Sequence, residues 1–234
     1  MHLAIHAAIV DLDGTMVDTL GDFEVALNHT MADLELPPIT RALVERTVGK
    51  GSEHLIRSVL AHQLAQSGVT VGERVTVDDL YEPAWQRYQH HYLRCNGLHS
   101  DVYPGVLEGL QALQGDGIRL ACLTNKPLLF ARALLQAKGL AGFFDHVFGG
   151  DSFERKKPDP LPILKTCEAL GTSVGNTLMV GDSSNDAQAA HAAACPVVLV
   201  TYGYNHGRPV QETPAAAWLD SLAQLPEWLK MGRA

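Results

Sequence analysis

Five short apolar runs in this chain each stop at a polar or glycine-bearing turn. Residues 4–10 run into Asp11, residues 118–123 into Thr124-Asn125, and residues 146–148 into Gly149-Gly150-Asp151. Residues 177–180 run into Gly181-Asp182, and residues 196–201 into Tyr202-Gly203-Tyr204. Runs of this length bounded by turn signals predict buried strands. Between them, residues 106–113, 128–138, 160–170 and 185–194 carry apolar positions at helical spacing. Strand alternating with helix predicts an α/β fold, with a parallel sheet covered by helices on both faces. In such sheets the polar residues that matter gather beyond the carboxyl ends of the strands.

Residues 17–97 follow another pattern. Leu20, Phe23, Leu27, Met31 and Leu34 share one helical face, and Pro37-Pro38 stops that helix. Gly49-Lys50-Gly51 reads as a turn, and Leu55, Ile56, Val59 and Leu60 open a second helical face. Residues 81–93 form a third, and no strand is expected here. The organisation expected is therefore a sheet domain of residues 1–16 and 98–234, interrupted by a helical insert of residues 17–97.

The 234 residues are 46% hydrophobic, enough for a substantial core. Eighteen basic residues stand against 26 acidic ones, a net charge of −8. That sign argues against nucleic acid as a partner, which calls for clustered Lys and Arg. A phosphate substrate would need a local reversal of charge, from a metal ion or a placed lysine. Cys95, Cys122, Cys167 and Cys195 form no Cys-x-x-Cys pair and read as free core thiols of a reducing compartment. The start of the chain lacks the features of a signal peptide, and no run approaches the roughly 20 apolar residues of a membrane span. A cytoplasmic protein without membrane partners is the expectation, as a monomer or homodimer.

The chemistry sits at the strand ends. Asp11 and Asp13 lie either side of Leu12, and a turn at Gly14 would let both face one cavity. Two carboxylates this close repel, so a hard cation with oxygen ligands is implied, and Mg²⁺ is the usual choice beside phosphate. The plain alternative is an acidic turn. Asp182 ends another strand, and Asp186 lies four residues on, in the first turn of the next helix. Capping accounts for Ser184 or Asn185 but less well for another acidic strand end. Thr124-Asn125, with a hydroxyl and backbone N–H groups at a helix start, suits phosphate oxygens. Lys157 precedes Pro158-Asp159-Pro160, whose stiffness would hold its ammonium over the site.

Taken in order, Asp11-Leu12-Asp13-Gly14-Thr15, Thr124, Lys157-Pro158, and Gly181-Asp182 with Asp186 resemble the four motifs of the haloacid dehalogenase superfamily. The helical insert after the first motif resembles its α-helical cap. Tyr103-Pro104-Gly105, Thr124-Asn125-Lys126-Pro127, Gly149-Gly150-Asp151, Lys157-Pro158-Asp159-Pro160 and Thr201-Tyr202-Gly203-Tyr204 look like its bacterial phosphoglycolate phosphatase branch. The resemblance implies a Rossmann-like core and a phosphatase acting on a small phosphate monoester, 2-phosphoglycolate first. Sugar phosphates, nucleoside monophosphates and pyrophosphate are the alternatives, with a β-phosphoglucomutase-like mutase a lesser one. It implies Asp11 as nucleophile, forming an aspartyl-phosphate, and Asp13 as general acid and base. Mg²⁺ would be held by Asp11, the Asp13 carbonyl and Asp182, with Asp186 behind it. Thr124, Asn125, Gly14 and Thr15 would bind phosphate, and Lys157 would offset charge.

Other residues are expected to do less. The eleven histidines show no His-Glu-x-x-His spacing, so zinc is not expected. Asp18 is read as a cap of the first insert helix. Trp85, Tyr88 and Tyr92 read as a packed helical face. Lys50, in a glycine-flanked loop, is a candidate for binding the non-phosphate end of the substrate.

Overall fold

The structure, a computed structural model, describes residues 4–66 and 75–231. The ends of the sheet portion (residues 1–3 and 232–234) and residues 67–74 of the insert lie outside the described residues.

Six strands build one parallel sheet: β1 (Ala7–Val10), β4 (Arg119–Leu123), β5 (His146–Phe148), β6 (Thr177–Gly181), β7 (Val197–Val200) and β8 (Ala217–Leu219). Their spatial order is β5-β4-β1-β6-β7-β8, with every neighbouring pair parallel. Strand order therefore reverses direction between β1 and β6, the place where open α/β sheets leave a crevice.

Side-chain alternation explains why both faces are covered. Ala8, Val10, Leu120, Cys122, Leu178 and Val180 point to one face. There they meet α5 (Val106–Gly115), α6 (Leu128–Ala137) and α9 (Leu225–Met231) through Leu110, Leu134 and Leu229. Ala7, Ile9, Ala121, Leu123 and Met179 point to the other. They meet α7 (Leu161–Leu170) and α8 (Ser184–Ala192) through Ile163, Leu170, Ala187 and Ala190. A strand buried on both faces reads as a continuous apolar run rather than an alternating one, which is the pattern the sequence shows.

The insert holds α1 (Leu20–Asp33), α2 (Arg41–Thr47), α3 (Ser52–Gln66) and α4 (Val77–Cys95). They share their own apolar cluster, with Phe23, Leu27, Leu55, Leu60, Tyr88 and Tyr92 at its centre. Phe130 of α6 and Tyr204 join the same cluster, so the insert is packed onto the sheet portion rather than held off it.

Several elements depart from the sequence reading. Helix α2 was not anticipated, because seven residues give less than two turns of periodicity; Thr40 caps it, accepting from the N–H of Leu43. A two-stranded antiparallel ladder joins β2 (Val17–Asp18) to β3 (Asp101–Val102), where no strand was expected. Two residues per strand carry no detectable period. The pairing arises because the chain leaves and re-enters the sheet portion side by side. All four cysteines are buried and free. Among the described residues no helix is long and apolar enough to cross a membrane.

Candidate active site

Register places the polar strand ends at one level. Val10 pairs with Cys122 on one side and Val180 on the other. Asp11, Thr124 and Asp182 therefore leave three adjacent strands within about one residue of each other, at the crevice between β1 and β6. They line a common cavity of about 30 Å³, with Asp13, Asn125 and Lys126 from the sheet side and Phe23, Val48, Gly49, Gly51, Ser52 and Leu55 from the insert.

Lys157 is the anchor of the acidic side. Its Nζ lies 3.0 Å from Asp11 Oδ1 and 2.6 Å from Asp186 Oδ1, and donates to the Leu123 carbonyl at 2.9 Å. Burial works against its charge, but Asp11 and Asp186 outweigh burial and hold its pKa above the ordinary lysine value. Asp11 moves the other way. Burial, helped by Asp186 and Asp13 and opposed by Lys157, pushes its carboxyl from 3.8 up to about 7. Asp182 is also raised well above the usual carboxylate range, by burial first and then by Asp186 and Asp11.

Glycines make room for this crowding. Gly14 adopts φ +82°, and a β-carbon there would lie 2.2 Å from Asp182 Oδ2. On Gly203 it would lie 2.3 Å from Asp182 Cβ. Asp182 is thus clasped between two backbones. Its Oδ1 accepts from the Thr15 hydroxyl at 2.9 Å, and its Oδ2 from the N–H of Tyr204 at 2.6 Å.

Several residues expected at the site sit there with different partners. Gly14 donates its N–H to Val17, and the Thr15 hydroxyl is engaged by Asp182, so both hold the turn together rather than facing the cavity. Both Nδ2 protons of Asn125 are also engaged: the amide donates to Gly49 O at 3.0 Å and to Lys157 O at 2.8 Å. Thr124 Oγ accepts from the N–H of Lys126 and retains its own proton as a donor toward the cavity. Asp186 Oδ2 accepts from the Ser183 hydroxyl at 2.8 Å and closes a capping box on α8. Ser183, rather than Ser184 or Asn185, is the cap. Asp18 does accept from the N–H of Leu20 at the start of α1, and it also takes the Tyr204 hydroxyl and an ion pair from Arg41.

Lys50 is not brought to the cavity. It is exposed and lines a separate surface depression with Ser184, Gln188 and His206. Of that loop, Gly49, Gly51 and Ser52 line the cavity and the lysine does not.

Lys126 was missed. It is buried at 4% exposure, with Nζ 2.8 Å from Asp13 Oδ1 and 4.3 Å from the centroid of the Phe23 ring. It stood in the sequence only within Thr124-Asn125-Lys126-Pro127, with no role of its own, because the rings that shelter it come from α1 and α4.

The acidic set suits a hard cation. One oxygen each of Asp11, Asp182 and Asp186 lie within 4.8 Å of one another, all buried. Lys157 is the buried cation among them, and it leaves Asp11 and Asp182 with raised pKa values. Three buried carboxylates with one buried ammonium fit a site that a divalent metal completes.

Comparison with known proteins agrees with this geometry. A family model described as haloacid dehalogenase-like hydrolase matches residues 8–200. The chain is 41% identical over 224 residues to a phosphoglycolate phosphatase of Thiobacillus denitrificans, covering 95% of this chain and 94% of that one. It is 41% identical over 228 residues to one from Rhodospirillum rubrum, covering 95% and 90%. Among solved structures, a predicted phosphoglycolate phosphatase from Haemophilus somnus 129PT superposes with a TM-score of 0.89 at 32% identity, covering 96% of this chain and 98% of that one.

Proposed function

Because this chain belongs to the haloacid dehalogenase-like hydrolase family and is a phosphatase, we propose that it hydrolyses 2-phosphoglycolate to glycolate and phosphate through an aspartyl-phosphate on Asp11. The observation that carries the reading is the pairing of Asp11 and Asp13 at one cavity, each beside its own buried lysine.

The roles follow from position. Asp11 Oδ attacks phosphorus, and the bond from phosphorus to the ester oxygen breaks. Lys157, beside Asp11, keeps that carboxylate oriented and offsets charge on the transferring group. Thr124 donates its hydroxyl proton to a phosphate oxygen. Asp13 protonates the leaving glycolate oxygen, then takes a proton from the water that attacks the acyl phosphate. That water step breaks the phosphorus–oxygen bond to Asp11, frees the Asp11 carboxylate and returns Asp13 to its protonated form.

Asp11 and Asp182 would hold Mg²⁺, joined by the main-chain carbonyl of Asp13. Asp186 is already engaged by Lys157 and Ser183, and so would support the ion from behind. When bound, the ion neutralises phosphate charge and favours the ionised form of Asp11.

A cavity of about 30 Å³ has room for about two waters. We infer that the insert helices lift to admit the ester and then close again. Closure would limit water while the ester is bound, which the timing of acyl-phosphate hydrolysis demands. We assign residues 17–97 this lid role and the remainder the catalytic core. The test is phosphate release from a panel of esters with Mg²⁺ and with EDTA. The reading predicts highest kcat/KM for 2-phosphoglycolate and loss of turnover in EDTA. A flat panel would remove the substrate, and turnover that survives EDTA would remove the metal.

A further inference from the structure

We propose that Lys126 is the specificity-determining residue, taking the carboxylate of the substrate into a cage formed with Asp13, Phe23 and Tyr92. This rests on the reading above that the substrate is a small acidic phosphate ester, and it deepens that reading.

The two buried lysines beside Asp11 and Asp13 are bound differently. Lys157 has three oxygens around its ammonium: it donates to Asp186 and the Leu123 carbonyl and forms an ion pair with Asp11. Among the described residues Lys126 has one oxygen partner, Asp13 Oδ1 at 2.8 Å. Its remaining surroundings are ring faces, Phe23 at 4.3 Å and Tyr92 at 4.9 Å from Nζ. Rings stabilise a cation without saturating its donors. Lys126 therefore keeps hydrogen-bonding capacity, and it lines the cavity. A buried ammonium left short of acceptors favours a ligand that supplies an anionic one.

Covalent geometry puts the substrate carboxylate at this place. Asp13 is assigned the proton for the leaving oxygen. In 2-phosphoglycolate a single methylene separates that oxygen from the carboxylate. Whatever holds the carboxylate must stand next to Asp13, and Lys126 does so at hydrogen-bond distance. The phosphate end then meets Thr124 and Lys157, and the carboxylate end meets Lys126. A neutral leaving group of equal length gives Lys126 no charge to pair with, so it is discriminated against at kcat/KM.

The cage also explains why the insert takes part in selection. Phe23 comes from α1 and Tyr92 from α4, and both belong to the insert cluster. Lys126 comes from the turn after β4. The cage is complete only when insert and sheet portion are together.

The experiment compares kcat/KM for 2-phosphoglycolate with that for 2-hydroxyethyl phosphate, which replaces the carboxylate by a neutral group of similar size. Wild type and Lys126→Met are measured with both. The wild type is expected to favour the acid, and Lys126→Met to reduce that preference roughly 30-fold, the loss of one charge-assisted hydrogen bond. Lys126→Gln, which keeps a donor in the cage without the charge, is held to the same criterion should the Met variant fail to fold. A preference that persists in either folded variant overturns the inference and leaves the substrate reading standing; equal slowing on both esters would mean that Lys126 serves Asp13 alone. A wild type with no preference for the acid overturns the substrate reading, and this inference with it.

Discussion

The carbonyl oxygen of Gly49, in the insert, accepts the side-chain amide of Asn125 at 3.0 Å and that of Asn185 at 3.2 Å. Asn125 follows β4 and Asn185 lies in α8, so two separate segments of the sheet portion grip one peptide of the insert. Gly49 adopts φ +103°, and a β-carbon there would stand 3.2 Å from His206 Cε1. The insert is seated over Asp11 through its backbone.

Loosening this grip should weaken catalysis without touching the reacting groups. Asn185→Ala is expected to lower kcat/KM roughly 2- to 10-fold, the loss of an ordinary hydrogen bond. Asn125→Ala should cost more, because its amide also holds the carbonyl of Lys157. Steady-state kinetics on both variants checks the order; an Asn185→Ala effect larger than that of Asn125→Ala would contradict it.

Lys157→Met removes the buried cation from Asp11 and Asp186. Breaking a buried pair by deleting one partner destabilises by about 3–5 kcal/mol. Thermal unfolding in EDTA should therefore show a markedly lower Tm, and kcat should fall by orders of magnitude. An unchanged Tm would mean that Lys157 is not the charge that holds the acidic cluster.

Metal and pH should be linked. Asp11 has a folded-state pKa of about 7 against an ordinary 3.8, and Asp182 is raised as well. An acid raised in this way keeps a proton in the folded state that the unfolded chain has already released. Across the interval from about 4 to 7 the folded chain binds more protons, so the metal-free stability contribution falls as pH rises. A divalent cation reverses this by stabilising the ionised carboxylates, and it competes with their protons. The rise in Tm produced by Mg²⁺ should thus be larger at pH 8 than at pH 5. Equal rises at both would exclude Asp11 and Asp182 as ligands.

Gly14→Ala tests the clasp around Asp182. The new β-carbon would sit 2.2 Å from Asp182 Oδ2, in a backbone conformation that alanine disfavours. Asp182 must move, and the Mg²⁺ concentration for half-maximal activity should rise at least about tenfold. An unchanged Mg²⁺ dependence would show that Asp182 is not a ligand.

How much of this was legible in the sequence depended on the range of the interactions. Asp11, Thr124 and Asp182 stood out because each follows an apolar run, and parallel register carries equivalent strand ends to one level. Asp186 was legible for its helical offset from Asp182, although its ties to Lys157 and Ser183 were not. Strand β8 (Ala217–Leu219), at the edge of the sheet, was not anticipated. Thr15 was placed beside phosphate by the resemblance and Asn125 by its position at a helix start, yet their donors answer Asp182, Gly49 and Lys157, partners far away in sequence. Lys126 was hidden for the same reason: Phe23 and Tyr92 lie about a hundred and about thirty positions away. Lys50 was drawn to attention by its glycines, but the glycines serve the close approach of backbone to the cavity and leave the lysine outside.

The central claim is that Asp11 becomes phosphorylated. Acid quenching during turnover of 2-phosphoglycolate, followed by peptide mass spectrometry, tests it directly. The account predicts one phosphoryl group on the peptide containing Asp11 in the wild type. In Asp11→Asn it predicts no adduct and a loss of turnover of at least about four orders of magnitude, as for an enzyme deprived of its nucleophile. Substantial turnover by Asp11→Asn, or an adduct on any other residue, would contradict it.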